Sequence, residues 1–459
     1  MSSTTQVQML LDKPRGSAVA PGYQPKVLLD NKTRNVETMV VAVEVASSSA
    51  APSLPASVGG EDRPIAVGGQ GDYIRLSDGR QILDACGGAA VTCLGHGNQE
   101  VIEAMAIQAS QLSYAAHGFF DNNSRRDLAE WFKATSQGHF RKAWVTNSAL
   151  GGHLTRRAPF EPLLLPGVYR IPPCNEYRQR LQDESDEEFV LRKVSELEKA
   201  FLALGPETVT AFIAEPVVGA ASGCVPAVPG YFQAMKAVCD KYGALLILDE
   251  VMSGMGRTGT LHAWEQEGIV PDIQAVGKAL AGGYQPVSAI LAGDKVSGLM
   301  DSKGVTFTHG HTYQDHPLGC ATALKVQQII QRDGLLANVQ TQGARLEKLL
   351  KGKLSSHPHV GNIRGRGLFW GIELVKNKAN KEPFDARLQI SHQIHATALA
   401  APYNMAIYYG QGCAGEKRGD HVMLMPAYNS TPETIELMVD TLASVVEKVF
   451  ADSTVLSNL

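Results

Sequence analysis

The sequence has no C-x-x-C pair, no long apolar run and no strong charge of either sign. Its seven cysteines, Cys86, Cys93, Cys174, Cys224, Cys239, Cys320 and Cys413, are odd in number and scattered. That excludes a disulfide scaffold or a zinc ribbon and points to reduced thiols of a cytoplasmic protein. No apolar stretch approaches the ~18–20 residues that a membrane span needs. A formal net charge of −4 gives no basis for binding nucleic acid or an anionic membrane surface. Aromatics are sparse at 7%, and the N-terminus carries no apolar core of a secretory signal. What is present is a soluble globular composition, 44% hydrophobic and 19% charged over 459 residues, enough for two or more domains.

The stretch "VASSSAAPSLPASVGG" at 45–60 is of low complexity and cannot bury enough apolar surface to order itself, so residues 1–60 are expected to be a flexible extension. The acid-poor start "MSSTTQVQMLLDKPRG" is weakly similar to a mitochondrial transit peptide, but its arginines are too few to favour that destination over the cytoplasm. Beyond it, "DYIRLSDGRQILDA" predicts a hairpin turned at Asp78-Gly79, and a helix is expected from Gln99. Val190, Val194, Leu197, Phe201 and Leu204 form the apolar stripe of a helix over 183–204, stopped by Gly205-Pro206. Its charges Asp186, Glu187, Glu188, Arg192 and Lys193 are expected to face solvent.

"VTAFIAEPV" and "GALLILDEV" are short apolar runs with a helical segment between them. Strands apolar on both faces, alternating with helices, indicate an α/β fold with a mostly parallel sheet flanked by helices. The tail from Pro432 predicts an amphipathic helix closing a smaller α+β domain that includes "GNIRGRGLFWGIELV". The smaller domain is expected from residues 61–115 and 336–459, with the large domain over 116–335. Ligands of such sheets collect beyond the carboxyl ends of the strands.

At the end of "ALLILDEVMSGMGRTG", Gly254, Gly256 and Gly259 spell G-x-G-x-x-G, the letters of a dinucleotide-binding turn. The context rejects that reading. Five residues, Asp249 to Ser253, separate the strand from the first glycine, and two of them are carboxylates that would repel a pyrophosphate. The expected ribose-binding acid, ~20 residues on, is missing. Asp249 instead has Lys278 following it by 29 residues in "PDIQAVGKALAGGY". A buried carboxylate and a lysine on neighbouring strand ends suit pyridoxal phosphate: the amine forms a Schiff base with the aldehyde, and the carboxylate keeps the pyridine nitrogen protonated.

"LLILDEVMSGMGRTGTLHAWEQEGIVPDIQAVGKALAGGYQPVSAIL" resembles the signature of the class III aminotransferases, pyridoxal-phosphate enzymes of fold type I. "YIRLSDGRQILDACGGAAVTCLGHGNQEV", "AFIAEPVVGA", "THGHTYQDHPLGCATAL" and "RGRGLFWGIEL" extend the resemblance over about residues 65–450. It implies a transaminase that moves an amino group from an amino acid or amine donor to a keto or aldehyde acceptor. Lys278 would be the Schiff-base lysine and proton shuttle, Asp249 the partner of the pyridinium nitrogen, and Val251 the residue under the ring. By the same resemblance Ser148 would fall among the cofactor-binding positions, and Glu215 would lie on the substrate side. Thr312 would bind the cofactor phosphate of a neighbouring subunit, which implies a homodimer with shared sites. His309, His311 and His316 would shape the loop carrying Thr312 rather than bind a metal.

The sequence departs from that family at three places. Met252 stands where many relatives have a glutamine able to hydrogen-bond the cofactor's phenolic oxygen. After Asn147-Ser148, "ALGGHLTRRAPFEPLLLP" skips about one helix and one strand, roughly thirty residues, a piece of the size of a βαβ unit. Losing it would remove phosphate-holding amides, the aromatic that stacks on the ring, and a strand of the sheet. An isoform or gene-model artefact, a weakly active or inactive paralogue, and a compensated site are the three readings. Finally, Met423 in "GDHVMLMPAYNS" stands where relatives acting on α-amino acids place an arginine for the substrate carboxylate. That favours an amine substrate, or a carboxylate held elsewhere, over ornithine or 4-aminobutyrate. A racemase, mutase or decarboxylase on the same fold would share Lys278 and Asp249.

Overall fold

A hairpin opens the described part of the chain. In the computed structural model β1 (Ala66–Gln70), β2 (Tyr73–Leu76) and β3 (Gln81–Asp84) run antiparallel. The β2–β3 turn is made where Asp78-Gly79 predicts it, with Gly79 at φ 89°, a conformation glycine adopts without strain. The structure describes residues 63–146, 167–307, 310–415 and 418–451. The expected extension over 1–60, Ser148 with the shortened segment behind it, and His309 lie outside those residues.

The sheet that positions the site contains β4 (Phe140–Thr146), β5 (Ala211–Ala214), β8 (Leu245–Asp249), β9 (Ile273–Val276) and β10 (Ser288–Gly293), in the order β4-β10-β9-β8-β5. The short β6 (Val217–Val218) and β7 (Val225–Pro226) form a separate ribbon beyond β5. β5, β8 and β9 pair in parallel, while β10 runs antiparallel to both β9 and β4. Four of the five strands therefore share one direction, the mostly parallel sheet expected from the apolar runs. The helices Tyr231–Tyr242 and Pro317–Arg332 bury Phe232, Met235, Val326 and Ile330 in the same core as Leu246, Leu248, Val276 and Leu291. Each such side chain stabilises by about 1.5–3 kcal/mol.

A second sheet, antiparallel throughout, orders β11 (Val360–Arg366), β12 (Phe369–Leu374), β15 (Asp420–Leu424) and β14 (Tyr408–Gln411). β13 (Met405–Ala406) adds to β3 in parallel. The helix Pro432–Ala451 starts on its proline as predicted and buries one apolar face through Ile435, Met438, Val439 and Leu442.

Two expectations about the helix near 183–204 change. It runs Asp186–Leu204, because Ser185 accepts from Glu188 N–H while the Glu188 side chain accepts from Ser185 N–H, and this capping box sets the start. Lys193 is not solvated: it is 1% exposed, lies over the Phe189 ring, and donates to Gln179 Oε1 and to Glu196 Oε2 (2.9 Å).

The glycine-rich turn after β8 is pinned by a cation. Arg257 is fully buried, with Nη1 donating to the carbonyls of Leu368 (3.1 Å) and Pro426 (2.5 Å). Its guanidinium also sits 4.6 Å from the centre of the Tyr428 ring. Gly256 (φ 97°) and Gly259 (φ 103°) supply left-handed backbone on either side, and a Cβ at Gly256 would come within 2.9 Å of Tyr428. Gly254 is needed because its Cβ would meet Glu250 Oε2 at 2.8 Å. The pattern that spells a phosphate-binding turn thus joins the large sheet to the elements around β12 and β15. Arg257→Met keeps apolar bulk but leaves buried carbonyls without donors, so it is expected to destabilise by about 3 kcal/mol in denaturant unfolding.

Candidate active site

Three neighbouring parallel strands end at one edge of the sheet, and each carries an ionisable residue at its end or within two residues beyond it. Glu215 follows β5, Asp249 closes β8, and Lys278 follows β9 by two residues. Because parallel strands carry their carboxyl ends to the same side, the sheet order β9-β8-β5 brings Lys278, Asp249 and Glu215 to one rim.

Lys278 sits at φ 47°, in the left-handed region that a long side chain rarely adopts. Such strain persists where the surroundings hold it and concentrates at functional sites. Here the surroundings are explicit. Gly277 is extended, Leu280 N–H donates to Gly277 O (2.9 Å), and Gly282 N–H donates to Lys278 O (3.1 Å). Buried Gln327, on the helix Pro317–Arg332, donates its amide to the carbonyls of Ala279 and Leu280, both at 2.9 Å.

Asp249 faces Ala275 across the β8–β9 pair, and its Oδ1 accepts from Val251 N–H (3.0 Å). Burial raises the pKa of its carboxyl, while that N–H and the Lys278 ammonium pull it back down. Val251 packs against the strand that carries the lysine: a Cβ at Gly277 would stand 3.4 Å from Val251 Cγ1.

Glu215 accepts from Gly219 N–H (3.0 Å), and burial pushes its pKa up to about 7; the Asp249 charge adds to that rise and Lys278 opposes it. Met252, beside Val251, packs on the same turn. Its sulfur lies 3.4 Å from Ala220 N–H, and a Cβ at Gly219 would approach that sulfur to 2.4 Å. Met423, on β15, is fully buried with its sulfur 3.4 Å from Cys224 Sγ. It clusters with Cys86, Val217, Cys224, Met252 and Met425. Arg364, close in the same sheet, is committed: Nη1 meets Glu373 Oε2 at 2.5 Å and Nε donates to Gly223 O.

Thr312 lies apart from these groups in sequence and burial, on an exposed loop where its carbonyl accepts from Tyr114 O–H (3.1 Å). His311 is exposed beside it, and His316 precedes the helix Pro317–Arg332. Among the described residues no group of three or more His, Cys, Asp and Glu is placed to hold a metal. Ser148 lies outside the described residues. Gln327 is a polar residue that sequence reasoning passed over, and Glu250 was weighed only as a charge against a pyrophosphate; the available signal was a glutamine on an otherwise apolar helix face and a second acid beside Asp249.

Among the described residues β5 pairs only with β8, and Ile213 on it is 58% exposed. A cavity of about 890 Å³ opens beside it, lined by Ile171, Phe201, Phe212, Val225, Tyr231 and, at one wall, Glu215. An amine at a strained lysine, a carboxylate at the neighbouring strand end and an apolar side chain packed beside Gly277 make a donor set that fits the aldehyde, ring nitrogen and ring face of pyridoxal phosphate.

The comparisons with known proteins agree with that geometry. The family model for class-III aminotransferases matches residues 144–446. An uncharacterized aminotransferase of Schizosaccharomyces pombe is 40% identical over 430 residues, spanning 84% of this chain and 93% of its own length. The alignment is longer than 84% of this 459-residue chain, so the relative carries residues with no counterpart here. A probable gamma-aminobutyrate transaminase of rice (Oryza sativa subsp. japonica) is 30% identical, covering 83% of this chain and 82% of its own. Among solved structures, the ω-transaminase from Pseudomonas jessenii in complex with PMP has a TM-score of 0.77 at 28% identity, over 84% of this chain and 93% of that one. The PMP-bound aminotransferase from Vibrio fluvialis has a TM-score of 0.76, also at 28% identity, over 85% and 93%. The chain therefore belongs to the class-III aminotransferases, fold type I enzymes that use pyridoxal phosphate to move an amino group from an amino donor to a keto acceptor.

Proposed function

We propose that Lys278, Asp249, Val251 and Glu215 carry the transamination in this chain, and that its preferred donors are amines lacking an α-carboxylate. The observation that carries the reading is the shared strand-end rim, with Lys278 strained at φ 47° beside Asp249. When bound, pyridoxal phosphate supplies the aldehyde that takes up the amino group and the ring that withdraws electrons from the reacting carbon. The chain supplies the rest. Lys278 Nζ would hold the cofactor through its aldehyde and would move the proton, Asp249 would keep the ring nitrogen protonated, and Val251 would set the ring's height. Glu215, at the wall of the apolar cavity, orients the donor's ammonium. Met423 and its sulfur-rich neighbours offer no cation to a substrate carboxylate, which supports the choice of amine.

Lys278→Ala is expected to abolish the visible absorption band of the cofactor-loaded protein and to lower turnover by about 10²–10⁴-fold, the usual contribution of a positioned proton-transfer group. A folded wild type that stays colourless with excess cofactor would sink the reading.

Glu215 gives a signed pH dependence. Its folded pKa of about 7 lies above the ordinary 4.5, so the unfolded chain loses this proton first as pH rises. The stability it contributes is full below 4.5 and declines up to about 7. The KM for an amine donor is expected to fall as pH passes through 7, where the carboxylate forms. Glu215→Gln flattens both dependences, as read by unfolding curves and by KM against pH.

We also read the working unit as a homodimer with Thr312 serving the neighbouring subunit's cofactor phosphate, and 116–335 as the large domain against a smaller one from 61–115 and 336–459. The support for the dimer is a loop region rich in exposed rings beside Thr312: Tyr114 and Tyr313 are exposed, and Phe119 and Phe120 are 83% and 67% exposed. Phe119→Asp with Phe120→Asp is expected to shift sedimentation from dimer to monomer and to weaken cofactor retention. All seven cysteines are free and buried, which supports a reducing, cytoplasmic setting. No described helix is long and apolar enough to cross a membrane.

A further inference from the structure

The residue after Asp249 is a carboxylate with no part in the reaction just described, and it is fully buried. Glu250 Oε2 accepts from Ala263 N–H (2.7 Å) and from the Gln274 side-chain amide (2.7 Å), and Oε1 accepts from Trp264 N–H (2.8 Å). Every partner is a donor, so the cage is built for an acceptor on both oxygens. The main chain of the same residue is tied as well: Glu250 N–H donates to Ala275 O (2.8 Å), and Glu250 O accepts from Gly254 N–H (2.9 Å).

These bonds join three pieces at one point. Ala263 and Trp264 open the short helical turn Ala263–Glu267, Gln274 lies within β9, and Ala275 faces Asp249 across the β8–β9 pair. The cage is braced in turn, since Trp264 Nε1 donates to Gln274 Oε1 (3.4 Å). Gly254 has no side chain because one would strike Glu250 Oε2. Successive residues at a strand end point to opposite faces. Asp249 interacts electrostatically with Lys278 and Val251 stands beside Gly277, so both lie toward the lysine, and holding Glu250 between them sets their rotation. Val251 N–H binds Asp249 Oδ1 (3.0 Å), so the two site residues move together.

We propose that Glu250 is a positioning residue: its caged carboxylate fixes the twist of the β8 terminus so that Asp249 is presented to the cofactor's ring nitrogen and Val251 to the ring face. This rests on the reading of Asp249 given under the proposed function. Removing the cage leaves the fold's apolar core intact but lets the strand end rotate, and a small misplacement at a reacting group is costly. Outer-shell residues that orient a first-contact group are typically worth 10–100-fold in affinity or rate.

The test uses Glu250→Gln, which keeps the shape but sets an amide N–H against a caging N–H, together with Gln274→Leu and the control Asp249→Asn. Each apoprotein is titrated with pyridoxal phosphate for its dissociation constant, and hydrogen exchange is followed at residues 249–254 in the apoprotein. For Glu250→Gln we expect cofactor binding to weaken about 10–100-fold and kcat to fall by a similar factor. Exchange at 249–254 should quicken, while the donor KM changes by less than about threefold. Gln274→Leu, which leaves the charge and both backbone donors in place, should weaken the cofactor by about threefold to tenfold. If Glu250→Gln lowers only the melting temperature, with cofactor affinity and visible spectrum unchanged, Glu250 is a cap for the helical turn and the proposal is overturned. Should that variant fail to fold, an unchanged cofactor affinity in Gln274→Leu overturns it instead. An Asp249→Asn protein that binds cofactor as tightly as wild type would refute the reading of Asp249 itself, which separates the two failures.

Discussion

The parallel pairing of β5, β8 and β9 is the constraint on which the site depends. Hydrogen bonds in a parallel ladder fix both the direction and the register of neighbouring strands. Once Ala214 lies beside Leu248 and Asp249 beside Ala275, the residues that follow must emerge at one rim. Glu215, Asp249 and Lys278 are remote in sequence and adjacent only through that ladder. The electrostatics follow from it. Burial raises both carboxyls, the lysine opposes the rise, and the proximity that couples them is a property of the sheet.

Around the rim, strain and small residues are held by polar groups that the core has had to satisfy. Lys278 keeps its left-handed backbone because Gln327 secures the two carbonyls after it. The Gly219 turn approaches Met252 so closely that only glycine fits, and the same turn donates an N–H to Glu215. Arg257 performs the equivalent task at longer range, replacing water with carbonyls from Leu368 and Pro426 and with the face of Tyr428. A buried cation satisfied in this way is costly to disturb, which ties the glycine-rich turn to the sheet of β12 and β15.

Much of this was legible in the sequence where local chemistry decides structure. The Asp78-Gly79 hairpin, the helix from Gln99, the proline start at Pro432 and the strand ending in Asp249 all form as their turn residues, caps and periodicity predict. Lys193 was misjudged for a physical reason. Periodicity assigns a face to a residue, yet a long side chain on a boundary position can lie over a neighbouring ring and find two oxygen partners while buried. The roles of Gln327 and Glu250 were illegible because their partners come from other elements. The exposed Ile213 on β5 and the cavity beside it were illegible for the same reason, because they depend on the strand order.

By itself the sequence determined the fold class and the family, and it singled out Asp249 and Lys278 as the candidate pair, because each rests on a local pattern: apolar runs, turn residues and an unbroken signature. The tertiary structure decided what stands around that pair. It turned the G-x-G-x-x-G letters into the seat of a buried arginine, gave Glu215 its raised pKa, and surrounded Met423 with sulfur and apolar groups. Those properties arise from burial and from contacts between residues distant in the chain, and neither is encoded by spacing along one segment.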